Sequence, residues 1–568
     1  MNGAILLAAA VAALLGGYFL YARFLERVLG VDPSKPTPAH TRSDGVDYVP
    51  AHPAVLFGHH FASIAGAGPI VGPVLAAEFG WASVALWIIL GCVFIGAAHD
   101  MIAMFLSVRH GGESIGSIIG TILGRPGKIL FLVFSWSTLV LVVTEFARQI
   151  AGTFTADPAI ATASLLFIAE AIAFGLCVNR FKVSVLAASL FFVPLMFASV
   201  WFGCLMPLDL TKWGLTPAQV SVFWSLLLLA YCYVASTCPV WILLQPRDYL
   251  NSYLLYAMMA MGFFGVFVAH PVLHTDAFAG FTAIGRAGTL DKLFPFLFVT
   301  VACGACSGFH ALVASGTSAK QLDNERSIRH IGYGGMLLEG VLAIVAVIGV
   351  AGTYASQQDY VTAIQGMEPV QMFAATIAGF CTKFGLPLRA AESFMLLSVS
   401  AFLMTTIDSG TRLARFSWQE LLSGEESPAG EKASGAAARA RNPLVRFFSN
   451  MYVGTFIVVA LVAFLLLGNP TTAKQIWTMF AAANQLLAAL TLLAATLWFS
   501  RNSKPCWITA IPMALMLSVS SWALATIFAK SVSAGDGIRM GASLFLLALA
   551  AVVVTLGVRE GINTWKKK

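Results

Sequence analysis

The chain has 568 residues, 58% of them hydrophobic and only 11% charged, against roughly 25% charged in a soluble globular domain. That excludes a water-soluble enzyme of ordinary composition and a disordered chain, and apolar runs of about 20 residues exclude a membrane β-barrel, whose strands alternate every second residue. The net charge of +7 comes from 34 Lys and Arg dispersed over short loops, so no nucleic-acid surface is implied.

In chain order, residues 3–23 read as an uncleaved first span, because no basic segment precedes them and Arg23 and Arg27 follow. Further spans are expected at 58–78, 82–109, 127–154, 158–179, 183–206, 219–245, 251–272, 293–318, 332–355, 391–416, 447–468, 473–499, 506–530 and 541–559. The shorter apolar stretch 370–384 suits an interfacial or re-entrant helix. Residues 417–446, rich in Gly, Ala, Ser and charge, read as a mobile cytoplasmic linker. With these fifteen spans, alternate loops collect 25 Lys and Arg on one side and 9 on the other. The basic side is taken as cytoplasmic, which puts the N-terminus outside and the C-terminus inside.

Two spans are interrupted. In GHHFASIAGAGPIVGPVLAAEFG, Gly66, Gly68, Pro69, Gly72 and Pro73 crowd the middle of the first; Ser236, Thr237, Cys238 and Pro239 mark the second. Proline removes a backbone donor and glycine permits non-helical angles, and freed backbone groups at membrane depth are tolerated where they line a cavity or meet a ligand. Each break opens a five-span unit, 58–206 and 219–416, and the charge rule orients the units oppositely, the pattern of an inverted repeat with a substrate site at its breaks. Ser63, Gly66, Ala67, Gly68, Pro69, Ser236, Thr237, Cys238 and Pro239 are the expected substrate-binding residues. Residues 1–57 form an extra N-terminal helix and loop, and 447–568 a C-terminal four-helix group that reads as a scaffold or a homo-oligomer contact.

The segment HPAVLFGHHFASIAGAGPIVGPVLAAEFGW, the AHDM at 98–101 and the TTIDSGTR at 405–412 closely resemble the carbon starvation protein A family of bacterial membrane transporters, over nearly the whole chain. The resemblance implies an all-α polytopic LeuT-like fold in the bacterial inner membrane. It also implies uptake of small nutrients, peptides for some members and pyruvate with proton coupling for others.

Ionisable residues inside spans are costly in lipid and so are candidates for ion coupling or gating. His59, His60, His99 and Asp100 read as a proton relay or inner gate, as histidines capping a helix interface, or as a metal site. Ser307, His310 and Ser318 share one helical face and could complete a sodium site with the carbonyls near Gly66. Cys303 and Cys306, in a Cys-x-x-Cys pair, read as packing. Glu145 with Arg148, three residues apart, reads as an external gate or a structural pair; Glu170, Glu339 and Asp408 are further intramembrane acids, and Asn484 and Gln485 read as interhelical hydrogen-bond partners. No metal or cofactor is assigned. The expected partners are a small-molecule substrate, a proton or sodium ion and the lipid bilayer. A secondary transporter is the leading function, with a nutrient sensor or an intramembrane enzyme as alternatives.

Overall fold

The computed structural model describes the chain outside residues 45–47, 240–241, 424–442, 469 and 567–568, and the side chains outside 470–475 and 564–566 as well. Its main helices, in order, are α1 Gly3–Leu29, the bent pair α2 Pro53–Ile64 and α3 Gly68–Phe79, α4 Trp81–Arg109, α5 Ile115–Ala156, α6 Pro158–Asn179, α7 Val185–Leu205, α8 Pro217–Thr237, α9 Leu244–Ala269, α10 Leu293–Gln321 and α11 Arg329–Thr353. Then come α12 Gln357–Gly366, α13 Pro369–Cys381, α14 Leu388–Leu422, α15 Met451–Leu467, α16 Ile476–Arg501, α17 Trp507–Ala534 and α18 Gly537–Asn563. Among the described residues, 13 of these are long and apolar enough to cross a membrane, 14 with the bent pair taken as one span. α15, at 17 residues, occupies the remaining expected position. The chain is therefore an all-α, multi-pass membrane protein. Its only described sheet is the hairpin β1 Thr282–Ile284 and β2 Leu290–Lys292 between α9 and α10.

Local signals explain most boundaries. Ser114, Asp157 and Ser184 cap α5, α6 and α7 by accepting from backbone N–H groups of the first turn, and Thr216 with Gln219 forms a reciprocal capping box on α8. Gly124, at φ 74°, divides α5 into a short entry piece and the span proper. The expected linker 417–446 lies mostly outside the described residues. At 13 residues, α13 is too short to span, in keeping with an interfacial or re-entrant segment.

One expectation is corrected. The second interruption does not fall at 236–239. Pro217–Thr237 is an unbroken 21-residue helix and Leu244–Ala269 an unbroken 26-residue helix, each long enough to span; Ser236 and Thr237 are the last residues of the first, Cys238 caps its C-terminus, and Pro239 follows, exposed. Proline here ends a helix instead of breaking one. A second interrupted helix is α10: Ala302 sits at φ 44°, a single 3₁₀ turn spans Ala302–Gly304, and the helix resumes at Gly308 after the extended Ser307.

The packing is reciprocal. α5 lies along α14, α4 against α11, and α8 against α15, while both α8 and α15 also touch α5 and α14. α9 packs on α2 and α14, and α16 packs on α10 and α5 in the same manner. α6 and α7 pair with each other at the edge of this arrangement. Ion pairs hold helix ends together on each side: Arg109–Glu325, Arg329–Glu26, Lys128–Glu420 and Arg501–Glu560 at one, Lys530–Asp291 and the Arg148 cluster at the other.

Candidate functional site: two interrupted helices and a buried polar centre

α2 and α3 meet at 45° across residues 65–67. Residues 66–69 are buried, and the turn is closed by Gly66 N–H donating to Ile64 O at 2.8 Å. Absent side chains let the two interrupted helices approach. A Cβ on Gly68 would stand 2.5 Å from Cys303 Cβ, and one on Gly72 would stand 2.5 Å from Val301 O and 2.6 Å from Thr300 O. On its other side the turn faces α14 and α5, since a Cβ on Gly66 would lie 3.0 Å from Thr406 Oγ1 and 3.5 Å from Phe146. Of the expected substrate-binding residues, Gly66, Ala67, Gly68 and Pro69 thus sit at this junction. Ser63 spends its hydroxyl on His59 O of its own helix at 2.8 Å. Ser236, Thr237, Cys238 and Pro239 lie at the end of α8, where Cys238 O accepts from Arg412 of α14 at 2.9 Å. The structure brings residues 302–307 to the junction in their place.

Beside the junction lies a polar centre. Asp100 of α4 accepts from His99 Nδ1 at 2.7 Å and from His310 Nδ1 at 2.8 Å. The far nitrogen of His310 stands 3.2 Å from Glu339 Oε2 of α11. Asn484 of α16 accepts from Phe309 N–H at 2.8 Å and bonds Ser307 Oγ at 3.0 Å, so its side chain satisfies the backbone where α10 resumes. His60 is separate from these contacts, bonded through Nδ1 to Ser318 Oγ at 2.8 Å, and His59 is half-buried. Ser307, His310 and Ser318 share a helix but reach three different partners. Cys303, His310 and Glu339 hold ligand-type atoms all within 4.8 Å of one another, the one such group of three among the described residues.

Two further clusters flank the site. Arg148 is bidentate to Glu145, at 2.8 and 3.2 Å, and reaches Glu368 at 3.3 Å; Arg286, beside the hairpin, holds the same Glu368 oxygen at 2.6 Å. Glu368 immediately precedes α13 at its N-terminal end, so this network pins α13 and the hairpin onto α5. Burial alone would raise the Glu368 carboxyl, but Arg148 and then Arg286 outweigh it and hold the group below its ordinary range. The pinning is therefore present above the ordinary carboxyl value of about 4.3 and is lost as pH falls through the lowered value. Protection of the amides across residues 357–381, taken relative to their intrinsic exchange rate at each pH, is expected to be constant between about pH 6 and 8, and to fall at acid pH below the ordinary carboxyl range as well as at neutral pH in Glu368→Gln; equal protection in that variant would show that the network does not hold α13.

Of the second cluster only Asp408 stands out in the sequence. Arg247, fully buried, bonds Tyr231 of α8 and Asp408 of α14, and stands 3.7 Å from Asp248; Asn251 donates to Thr405 at 2.9 Å. Arg247 and Asp248 lie between two apolar runs and so resemble loop residues, but in the structure they form the first turn of α9. The signal available was the small polar run TTID on α14, a partner for buried charge.

A multi-pass bundle whose two interrupted helices meet at their breaks beside a buried, charge-bearing centre is the architecture of a membrane carrier. The chain matches the model of the carbon starvation protein CstA family over residues 2–362 and 352–523, and it belongs to that family. It is 32% identical to a peptide transporter CstA of Mycobacterium tuberculosis, covering 89% of this chain and 73% of that one. It is also 32% identical to the pyruvate/proton symporter BtsT of Escherichia coli, covering 91% and 80%. The crystal structure of MhsT in complex with L-phenylalanine aligns with 90% of this chain and 99% of that one, at 11% identity and a TM-score of 0.45. By family the protein is a transporter and not an enzyme.

Proposed function

We propose that the protein is a secondary carrier of the bacterial cytoplasmic membrane that imports small nutrients, peptides or pyruvate, by alternating access driven by a proton gradient. The observation that carries this reading is the meeting of α2 and α3 with α10 at their breaks, with glycines where the backbones approach. Backbone groups freed at membrane depth, two helix ends and a buried polar centre make a place where a small polar solute replaces water.

The reciprocal packing supports two units of opposite orientation, α2–α3, α4, α5, α8 and α9 against α10, α11, α14, α15 and α16, with α6 and α7 inserted into the first. Movement of one set against the other around the junction would expose it to each side in turn. The Arg148–Glu368–Arg286 network is suited to gate one side, and His60 with Ser318, and His59 beside them, the other. Charge bias supports the first side as external, with the N-terminus outside and the C-terminus in the cytoplasm. The proton is preferred to sodium because a relative is named as a proton symporter.

Proteoliposomes holding the purified protein test the proposal. Labelled pyruvate and a labelled dipeptide are offered under an imposed proton gradient, an imposed sodium gradient, or neither. Accumulation under the proton gradient alone is the expected result. Accumulation under sodium alone would replace the coupling ion, and saturable binding without accumulation or counterflow of either solute would overturn the carrier reading in favour of a sensor.

A further inference from the structure

We propose that Cys303, His310 and Glu339 form a binding site for one borderline-soft divalent transition-metal ion of the zinc class. His310 Nδ1 lies 2.8 Å from Asp100, whose carboxylate only accepts, so Nδ1 carries the hydrogen and Nε2 is the ring nitrogen left to hold a cation, whether a proton or a metal ion. That nitrogen stands 3.2 Å from Glu339 Oε2, an acceptor. Neither Glu339 oxygen nor His310 Nε2 has a hydrogen-bond partner, and both side chains are fully buried. A carboxylate oxygen and a ring nitrogen this close in a site without water contact need a cation between them, either a proton on Nε2 or a metal ion, and the surrounding donors decide which.

The third donor decides which cation. Cys303 Sγ, on the 3₁₀ turn where α10 is interrupted, completes a set of S, N and O atoms within 4.8 Å of one another. Metal–ligand distances of about 2.0–2.3 Å place ligands on a tetrahedral centre roughly 3.3–3.8 Å apart, so the His310–Glu339 spacing of 3.2 Å already fits, and the Cys303 sulfur, within 4.8 Å of both, would close on the ion as it binds. Hard cations such as sodium, magnesium and calcium prefer all-oxygen sets, whereas thiolate with imidazole and carboxylate suits zinc and its neighbours. Asp100 and His99 supply the outer support found behind metal-bound histidines: a carboxylate on the far ring nitrogen, itself held by a hydrogen bond of 2.7 Å. Three protein ligands leave a fourth position open.

Full-length protein in detergent, stripped with a chelator and kept reduced without thiol reagents, is titrated with Co²⁺ alone. The expected result is one equivalent bound with a thiolate-to-cobalt charge-transfer band, and displacement of that band by Zn²⁺. Cys303→Ser should lose the band, while Cys306→Ser, which alters the neighbouring buried cysteine, should keep it. Asp100→Asn should weaken binding by roughly 10–100-fold. Helicity by circular dichroism and a single size-exclusion peak confirm that each variant is folded. Binding of less than stoichiometric Co²⁺ to folded wild-type protein, or a Co²⁺ spectrum unchanged in Cys303→Ser, would overturn the proposal and leave a proton as the cation between His310 and Glu339. None of these readouts uses transport, so the site stands or falls independently of the carrier reading.

Discussion

Replacing Gly72 with alanine is expected to lower the initial rate of uptake more than tenfold and to destabilise the protein. The added methyl would stand 2.5 Å from Val301 O and 2.6 Å from Thr300 O. Both are backbone atoms of α10, so no rotamer change relieves the contact and the two interrupted helices must separate. Overpacking of this kind costs about 1–3 kcal/mol, and here the strain falls on the junction itself. Ala302, one residue further, already holds φ 44° without being glycine, a conformation that persists only where the surroundings enforce it. Gly379→Ala is the control, since nothing lies within 4 Å of its added Cβ. Both variants are compared by uptake per folded molecule and by thermal unfolding in detergent. Wild-type transport by Gly72→Ala would show that the close approach of the two helices is not needed for transport.

The second large effect is expected at the buried charge cluster. Asp408→Ala leaves the fully buried Arg247 guanidinium without its carboxylate partner, and breaking a buried pair in this way typically costs about 3–5 kcal/mol. The yield of monodisperse protein should fall sharply. The pair itself need not be stabilising, because desolvating two charges offsets most of their attraction. The double variant Arg247→Met, Asp408→Leu is therefore expected to recover much of the folded yield while the single one does not. A single variant as stable as wild type would show that Arg247 is satisfied elsewhere, with Tyr231 and Asp248 as the available partners. If the double variant folds but fails in counterflow, the pair acts in transport as well as in joining α9 to α14.

What the sequence determined by itself was the solvent. Composition and run length specify a helical bundle in a bilayer because every backbone group there must bond within its own segment, and the first break is legible because five glycines and prolines fall within eight residues of one span. The rest depended on contacts between distant residues. The break in α10 carries no proline, and its run of Ala, Cys, Gly and Ser has the hydropathy of a continuous helix; only the close approach of Gly68 and Gly72 makes its unusual backbone visible. Pro239, which resembles a break, proves to be an ending, because whether a proline kinks a helix or terminates it depends on what packs around the freed carbonyls. Arg247 and Asp248 look like loop residues until Asp408, 160 residues later, supplies the partner that lets them be buried. Likewise Cys303 pairs in sequence with Cys306 but in space with His310 and Glu339. Hydrophobic burial is set by local composition, whereas the cost of a buried charge or lone pair depends on its neighbour, and the fold alone decides which neighbour that is.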